Sequence, residues 1–219
     1  MNSSSSSMLK TFATLRKFSG QRKPPVERCE LCGLELPPEH DHLVEPQSRR
    51  LLCSCIACGL LFSGSTELKY RRVPRDVRRL NDFQLTDSDW DSLMIPINMA
   101  FFFFDSSAKK MVAFYPSPAG PVESLLHLDK WHEIIRGHLA LNTMQPDVEA
   151  LLVNRMGSRV GFLTDDYFLA PIDQCYKLVG LLRMHWRGLS GGTEVWKRVR
   201  EFFDGIRRTA KSDSEDAHV

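Results

Sequence analysis

The sequence predicts an α+β protein: an N-terminal four-cysteine module of zinc-ribbon or treble-clef-like type, followed by a body of mixed sheet and helix. Three observations carry this. Five of the six cysteines fall between Cys29 and Cys58. Four of them form two turns, Cys29-Glu-Leu-Cys32-Gly33 and Cys55-Ile-Ala-Cys58-Gly59, with the spacing of paired metal ligands. The rest of the chain mixes strand-like apolar runs with segments of helical period. The 219 residues are 42% hydrophobic and 26% charged, a balance that can fill a core.

Taken in order, residues 1–25 read as a disordered polar tail (Met1 to Ser7), a short amphipathic helix (Met8 to Phe18) and a Lys/Arg/Pro linker. Residues 26–63 are the metal module. Leu51-Leu52 and Leu60-Leu61-Phe62 are expected to supply its small core. Burial alone cannot hold so small a unit, so metal binding would be most of its folding energy. Residues 64–208 are the body. Tyr70 to Leu80 reads as a basic, solvated connector. Thr86, with Asp87 and Asp89 behind it, caps a helix that Pro96 ends. Ile97 to Phe104 and Met111 to Tyr115 read as two strands across a polar turn. Pro116 to Pro121 is expected to be irregular. Ser124 to His138 has helical period. Glu149 to Asn154 and Val160 to Leu163 read as a second strand pair, with Thr164 to Tyr167 a loop. Ile172 to Trp186 and Thr193 to Ile206 are helices separated by Gly188 to Gly192. Residues 209–219 read as a disordered tail.

Several function classes are excluded or disfavoured at once. No apolar run approaches the roughly 18 residues that span a bilayer. The N-terminus lacks the order of a signal peptide. The expected location is therefore cytoplasmic, where clustered thiols favour metal over disulfides. The net charge of +2 is uneven: residues 1–80 carry 14 Lys/Arg against 8 Asp/Glu, and residues 81–219 carry 15 against 19. The basic half could meet nucleic acid. It lacks the interleaved aromatics of a single-strand binder, and an intramolecular role is favoured.

The chemistry concentrates in the cysteine turns. Cys29, Cys32, Cys55 and Cys58 are expected to form a closed four-thiolate site, with Zn as the default ion and Fe, in the manner of rubredoxin, as the alternative. Cys53 is a fifth thiol. It could exchange with Cys55, sit beside the site, or stay free. His40 and His42 are further donors, expected at the surface or next to the ligands. The Asp41-His42 pair resembles part of a nuclease treble clef, but the further Asn and His of that motif are not evident. Cys175 lies among Leu and Val on one helix face and reads as core. His127, His132 and His138 read as a solvated face. No nucleotide fingerprint, paired carboxylate or Ser-His-Asp arrangement is legible. An enzyme is not expected.

One resemblance spans roughly residues 15–208. Its phrases are Cys29-Glu-Leu-Cys32, Ser48 to Cys58, Tyr115 to Gly120, Asp147 to Arg155, Pro171 to Tyr176, and Trp186 to Gly192 with Glu194-Val-Trp196. The chain resembles a bacterial family of unknown function often encoded beside high-affinity uptake NiFe hydrogenases. The resemblance implies a non-enzymatic accessory protein in hydrogenase maturation or assembly. Its partners would be hydrogenase subunits or maturation factors.

Overall fold

The computed structural model describes residues 26–63, 69–124, 131, 135, 138–157 and 165–212. The first hairpin is β1 (Asp41–Glu45) and β2 (Arg50–Ser54), antiparallel, with Asp41 opposite Ser54 and His42 opposite Cys53. Helix α1 (Ile56–Phe62) follows, and β3 (Arg71–Arg72) pairs with the other edge of β1. The result is a three-stranded sheet in the order β2-β1-β3.

The larger sheet has seven strands: β4 (Arg78–Arg79), β5 (Met99–Asp105), β6 (Lys110–Ser117), β7 (Gly120–Ser124), β8 (Glu149–Asn154), β9 (Asp166–Pro171) and β10 (Lys211–Ser212). Their order is β10-β4-β9-β8-β5-β6-β7, antiparallel except between β10 and β4. Helices α2 (Asp87–Ser92) and α3 (Leu139–Asn142) precede β5 and β8, and α4 (Ile172–His185) and α5 (Gly192–Thr209) follow β9.

Both faces of this sheet are covered. Phe101, Phe103, Leu152 and Phe168 pack with Ile172, Leu178 and Phe203 of α4 and α5. The alternate residues Ala100, Phe102, Leu151 and Leu169 pack with Trp90, Leu93 and Trp131. The Phe102 and Trp131 rings stack at 4.8 Å. An antiparallel sheet ordinarily keeps one wet face and an alternating sequence. Here neither face is wet, which is why Met99 to Phe103 is continuously apolar and buried. Each such Phe contributes roughly 1.5–3 kcal/mol by burial.

The expected capped helix is present. Thr86 Oγ1 accepts from the Asp89 N–H, and Asp89 Oδ2 accepts from the Thr86 N–H. Four expectations are corrected. Pro116 to Pro121 is a hairpin, because Pro118-Ala119 makes a two-residue turn closed by Ser117 and Gly120. Alternation from that pair places Pro116 opposite Pro121 at a position that needs no mutual ladder bond. The partner of β8 is Asp166–Pro171, so Asp166 and Tyr167 are strand rather than loop. Tyr70 to Leu80 is not a solvated linker. It forms β3 and β4 and buries Val73, Val77 and Leu80. In the tail, Lys211–Ser212 is strand β10. The expected helix at Met8 to Phe18, most of that at Ser124 to His138, the strand at Val160 to Leu163 and the final residues 213–219 lie outside the described residues.

Arg49, in the β1–β2 turn, ties the small sheet to the large one. Its Nε donates to Asp105 at 2.6 Å and its Nη1 to Glu123 at 2.9 Å. Its guanidinium lies 5.5 Å from the Phe114 ring centroid. Burial would raise the Asp105 carboxyl, but the Ala108 N–H and the Arg49 guanidinium hold it below the usual carboxylate range. The pair is therefore fully stabilising above the unfolded carboxylate value of about 4, and its contribution fades as pH falls through the lower folded value. Arg49→Ala is expected to cost about 2 kcal/mol at neutral pH by leaving Asp105 buried without its cation. Urea denaturation at pH 7 and pH 3 checks this: the cost shrinks at the lower pH.

Candidate metal centre

The first turn is built by the backbone. The Gly33 N–H donates to Cys29 O, and the Cys29 N–H donates to Leu34 O, both at 2.8 Å. Gly33 sits at φ +78°, a conformation that glycine adopts without strain. The second turn is the start of α1. Cys55 is its N-cap, and its Sγ accepts from the Cys58 N–H at 3.4 Å. Gly59 differs from Gly33: it has an ordinary backbone conformation and sits where α1 packs on the hairpin. A Cβ there would lie 3.4 Å from Asp41 Oδ2 and 3.5 Å from Ser54 Oγ.

These turns bring Cys29, Cys32, Cys55 and Cys58 together. Their Sγ atoms lie within 4.8 Å of one another, and the group could hold a metal ion. Cys32 and Cys55 are 3.8 Å apart. A tetrahedral ion with thiolate bonds of about 2.3 Å spaces its sulfurs by roughly that distance. Cys29, Cys55 and Cys58 are buried and Cys32 is exposed. Burial alone would raise the Cys29 thiol, but backbone N–H groups of Cys55, Cys32 and Leu31 outweigh it and bring it to about 6. Burial, then the neighbouring thiols, push Cys58 up to about 12. Four thiolates at this spacing therefore call for a cation among them.

The expected small core differs. Leu36 packs against the cysteines, with Leu31 and Cys53 beside them. Ile56, Leu60, Leu61 and Phe62 are exposed. Only Cys58 and Gly59 of the seven-residue α1 are buried, so its other apolar side chains point outward.

Strand alternation sorts the residues of the hairpin. Asp41 and Ser54 lie on the face toward α1. The Asp41 carboxylate accepts from Arg72 and Arg75, both at 2.6 Å. Burial raises that carboxyl, and Arg75 and Arg72 lower it to a net value below the ordinary range. Asp41 is thus a structural anion and makes no nuclease pair with His42. His42 lies on the opposite face with Cys53. Its Nδ1 is 2.8 Å from Asp173 Oδ2 in the first turn of α4. His40 Nδ1 is 2.9 Å from Pro37 O, and its ring centroid is 4.8 Å from that of His42. A ring nitrogen of each histidine and Cys53 Sγ lie within 4.8 Å of one another.

A family model for DUF5947, described as a family of unknown function, matches residues 28–210. The chain belongs to the DUF5947 family. No curated protein and no solved structure matches it.

The family match spans both the cysteine cluster and strands β4 to β9 of the large sheet of this DUF5947 protein. Among the described residues, no helix is long and apolar enough to cross a membrane. The arginines of the basic segment are paired within the chain: Arg71 with Asp147, Arg72 and Arg75 with Asp41, Arg78 with Glu149 and Arg79 with Asp166. Cys175 is fully buried in the main core, as its neighbours indicate. His138 is half-buried with its ring 4.7 Å from Phe83, rather than on a solvated face; His127 and His132 lie outside the described residues. Sequence reasoning missed the role of Asp173. Pro171 occupies the cap position of α4, and Asp173, in its first turn, accepts from a histidine 131 residues away. No local signal marks that contact.

Proposed function

We propose that this protein is a non-enzymatic metal-binding accessory factor in the maturation or assembly of a NiFe hydrogenase. Cys29, Cys32, Cys55 and Cys58 hold a structural zinc, and the module they build docks a protein partner. The observation that carries this reading is a closed four-thiolate cluster beside an outward apolar helix. Four protein thiolates leave an ion no position for substrate, which suits scaffolding rather than catalysis. Ile56, Leu60, Leu61 and Phe62 are four large apolar side chains exposed on the helix next to it. The hydrogenase assignment rests on the sequence resemblance.

Tagged full-length protein, captured from hydrogen-oxidising cells and analysed for metal, tests the reading. The expected eluate is colourless, contains zinc, and carries hydrogenase subunits or maturation factors. A Leu60→Asp/Leu61→Asp variant is expected to keep its zinc and lose at least tenfold of the captured partner. Recovery of neither class of partner by the parent protein overturns the role. A red, bleachable eluate replaces zinc with iron.

A further inference from the structure

We propose a second metal centre in which His40, His42 and Cys53 bind one divalent ion, zinc by its donor set, with a fourth position open to the groove beside α4. It is separate from the four-thiolate cluster. It also goes beyond the accessory reading, which needs no exchangeable metal.

The hairpin register makes the site. His42 and Cys53 are directly opposed on β1 and β2, and His40, just before β1, lies with its ring centroid 4.8 Å from that of His42. Three donors thus converge within 4.8 Å. The hydrogen bonds then assign the ring nitrogens. Pro37 O and the Asp173 carboxylate can only accept, so Nδ1 of His40 and Nδ1 of His42 each carry the proton. A ring whose Nδ1 donates in this way can offer a metal only its Nε2. His40 Nε2 is buried and has no hydrogen-bond partner, and its side chain is only 5% exposed. Buried polar nitrogens are nearly always satisfied. An ion shared with His42 and Cys53 satisfies this one.

Asp173 completes the arrangement. A ligating histidine commonly donates its other N–H to a carboxylate, which fixes the ring and raises its basicity. Two imidazoles and a thiolate suit zinc. Binding would release the Cys53 thiol proton to solvent as the sulfur–zinc bond forms. Three protein ligands leave a fourth position for water. His40, His42 and Asp173 line an open groove of about 1000 Å³, shared with Tyr176, Arg198 and Phe202. The open position therefore faces space large enough for an exchangeable ligand.

Zinc binding by the reduced full-length protein, followed by equilibrium dialysis and metal analysis, reads the number of sites. The expected stoichiometry is two per chain, falling to one in His40→Ala/Cys53→Ser. One equivalent in the parent, or two retained in the variant, overturns the proposal. Asp173→Asn keeps every donor, so it tests the site even where the double variant loses its fold. It is expected to weaken the second equivalent 10–100-fold and leave the first unchanged; a second equivalent bound as tightly as in the parent overturns the arrangement. In cobalt-loaded protein, azide is expected to shift the visible absorption of the parent and not of His40→Ala/Cys53→Ser. An unshifted parent spectrum shows that no open position exists.

Discussion

Cys29→Ser is expected to abolish metal binding at the four-thiolate cluster and to unfold residues 27–36 and α1, while the seven-stranded sheet stays folded. A structural zinc site contributes about 10–16 kcal/mol at neutral pH, and the loss of one of four thiolates removes most of it. Little else holds this segment. Its apolar core is Leu36 with partial help from Leu31 and Cys53, and α1 buries only Cys58 and Gly59. The strands behind it have their own anchors. Arg49 bonds to Asp105, His42 to Asp173, and Val44 and Val73 belong to the main core. Hydrogen exchange is the measurement. Amides of Cys29, Gly33, Leu36 and Gly59, which donate to backbone carbonyls, lose protection. Those of β5 and β8 keep it. Global unfolding of the variant would mean that the metal holds the whole chain.

Arg207→Leu is expected to destabilise the body by about 3 kcal/mol. Asp166 is buried on β9, and Arg207 from α5 grips it at both oxygens, Nε to Oδ1 at 2.9 Å and Nη2 to Oδ2 at 2.6 Å. Asn154 adds a third bond at 3.2 Å, and Arg79 lies 3.8 Å away. Removing the cation leaves a buried carboxylate with only amide and distant partners, the costly half of an ion-pair deletion. The double variant Arg207→Leu/Asp166→Leu is expected to be more stable than Arg207→Leu alone, since it leaves no buried uncompensated charge: Arg79 and Asp204, the partners it frees, have side chains 41% and 46% exposed. Thermal or urea denaturation of the three proteins checks this. A double variant weaker than both singles would show that the pair holds its neighbours by geometry rather than by charge.

What the sequence makes legible follows from how local each cause is. The cap at Thr86, the α4 helix and the Cys-x-x-Cys turns depend on residues within a few positions, and all are read directly. The continuous run at Met99 to Phe103 reads as strand, but its two-faced burial depends on Trp131 and Phe203, which the run itself does not announce. The segment Tyr70 to Leu80 is misread because its five arginines suggest solvent. Their acids, Asp41, Asp147, Glu149 and Asp166, are distant in sequence, and pairing across elements lets the backbone between them bury Val73 and Val77. In the same way, Cys53, His40 and His42 are visible as spare donors. Only the hairpin register puts His42 and Cys53 on a face away from Asp41, and only the folded chain brings His40 to them. The contact to Asp173 comes from tertiary packing alone.

The central claim is that Cys29, Cys32, Cys55 and Cys58 together hold one ion. X-ray absorption on the metal bound by full-length His40→Ala/Cys53→Ser protein tests it without interference from the second site. The account predicts one zinc per chain with four sulfur neighbours at about 2.3 Å. A chain without metal, or an ion with nitrogen or oxygen among its four nearest neighbours, would contradict it.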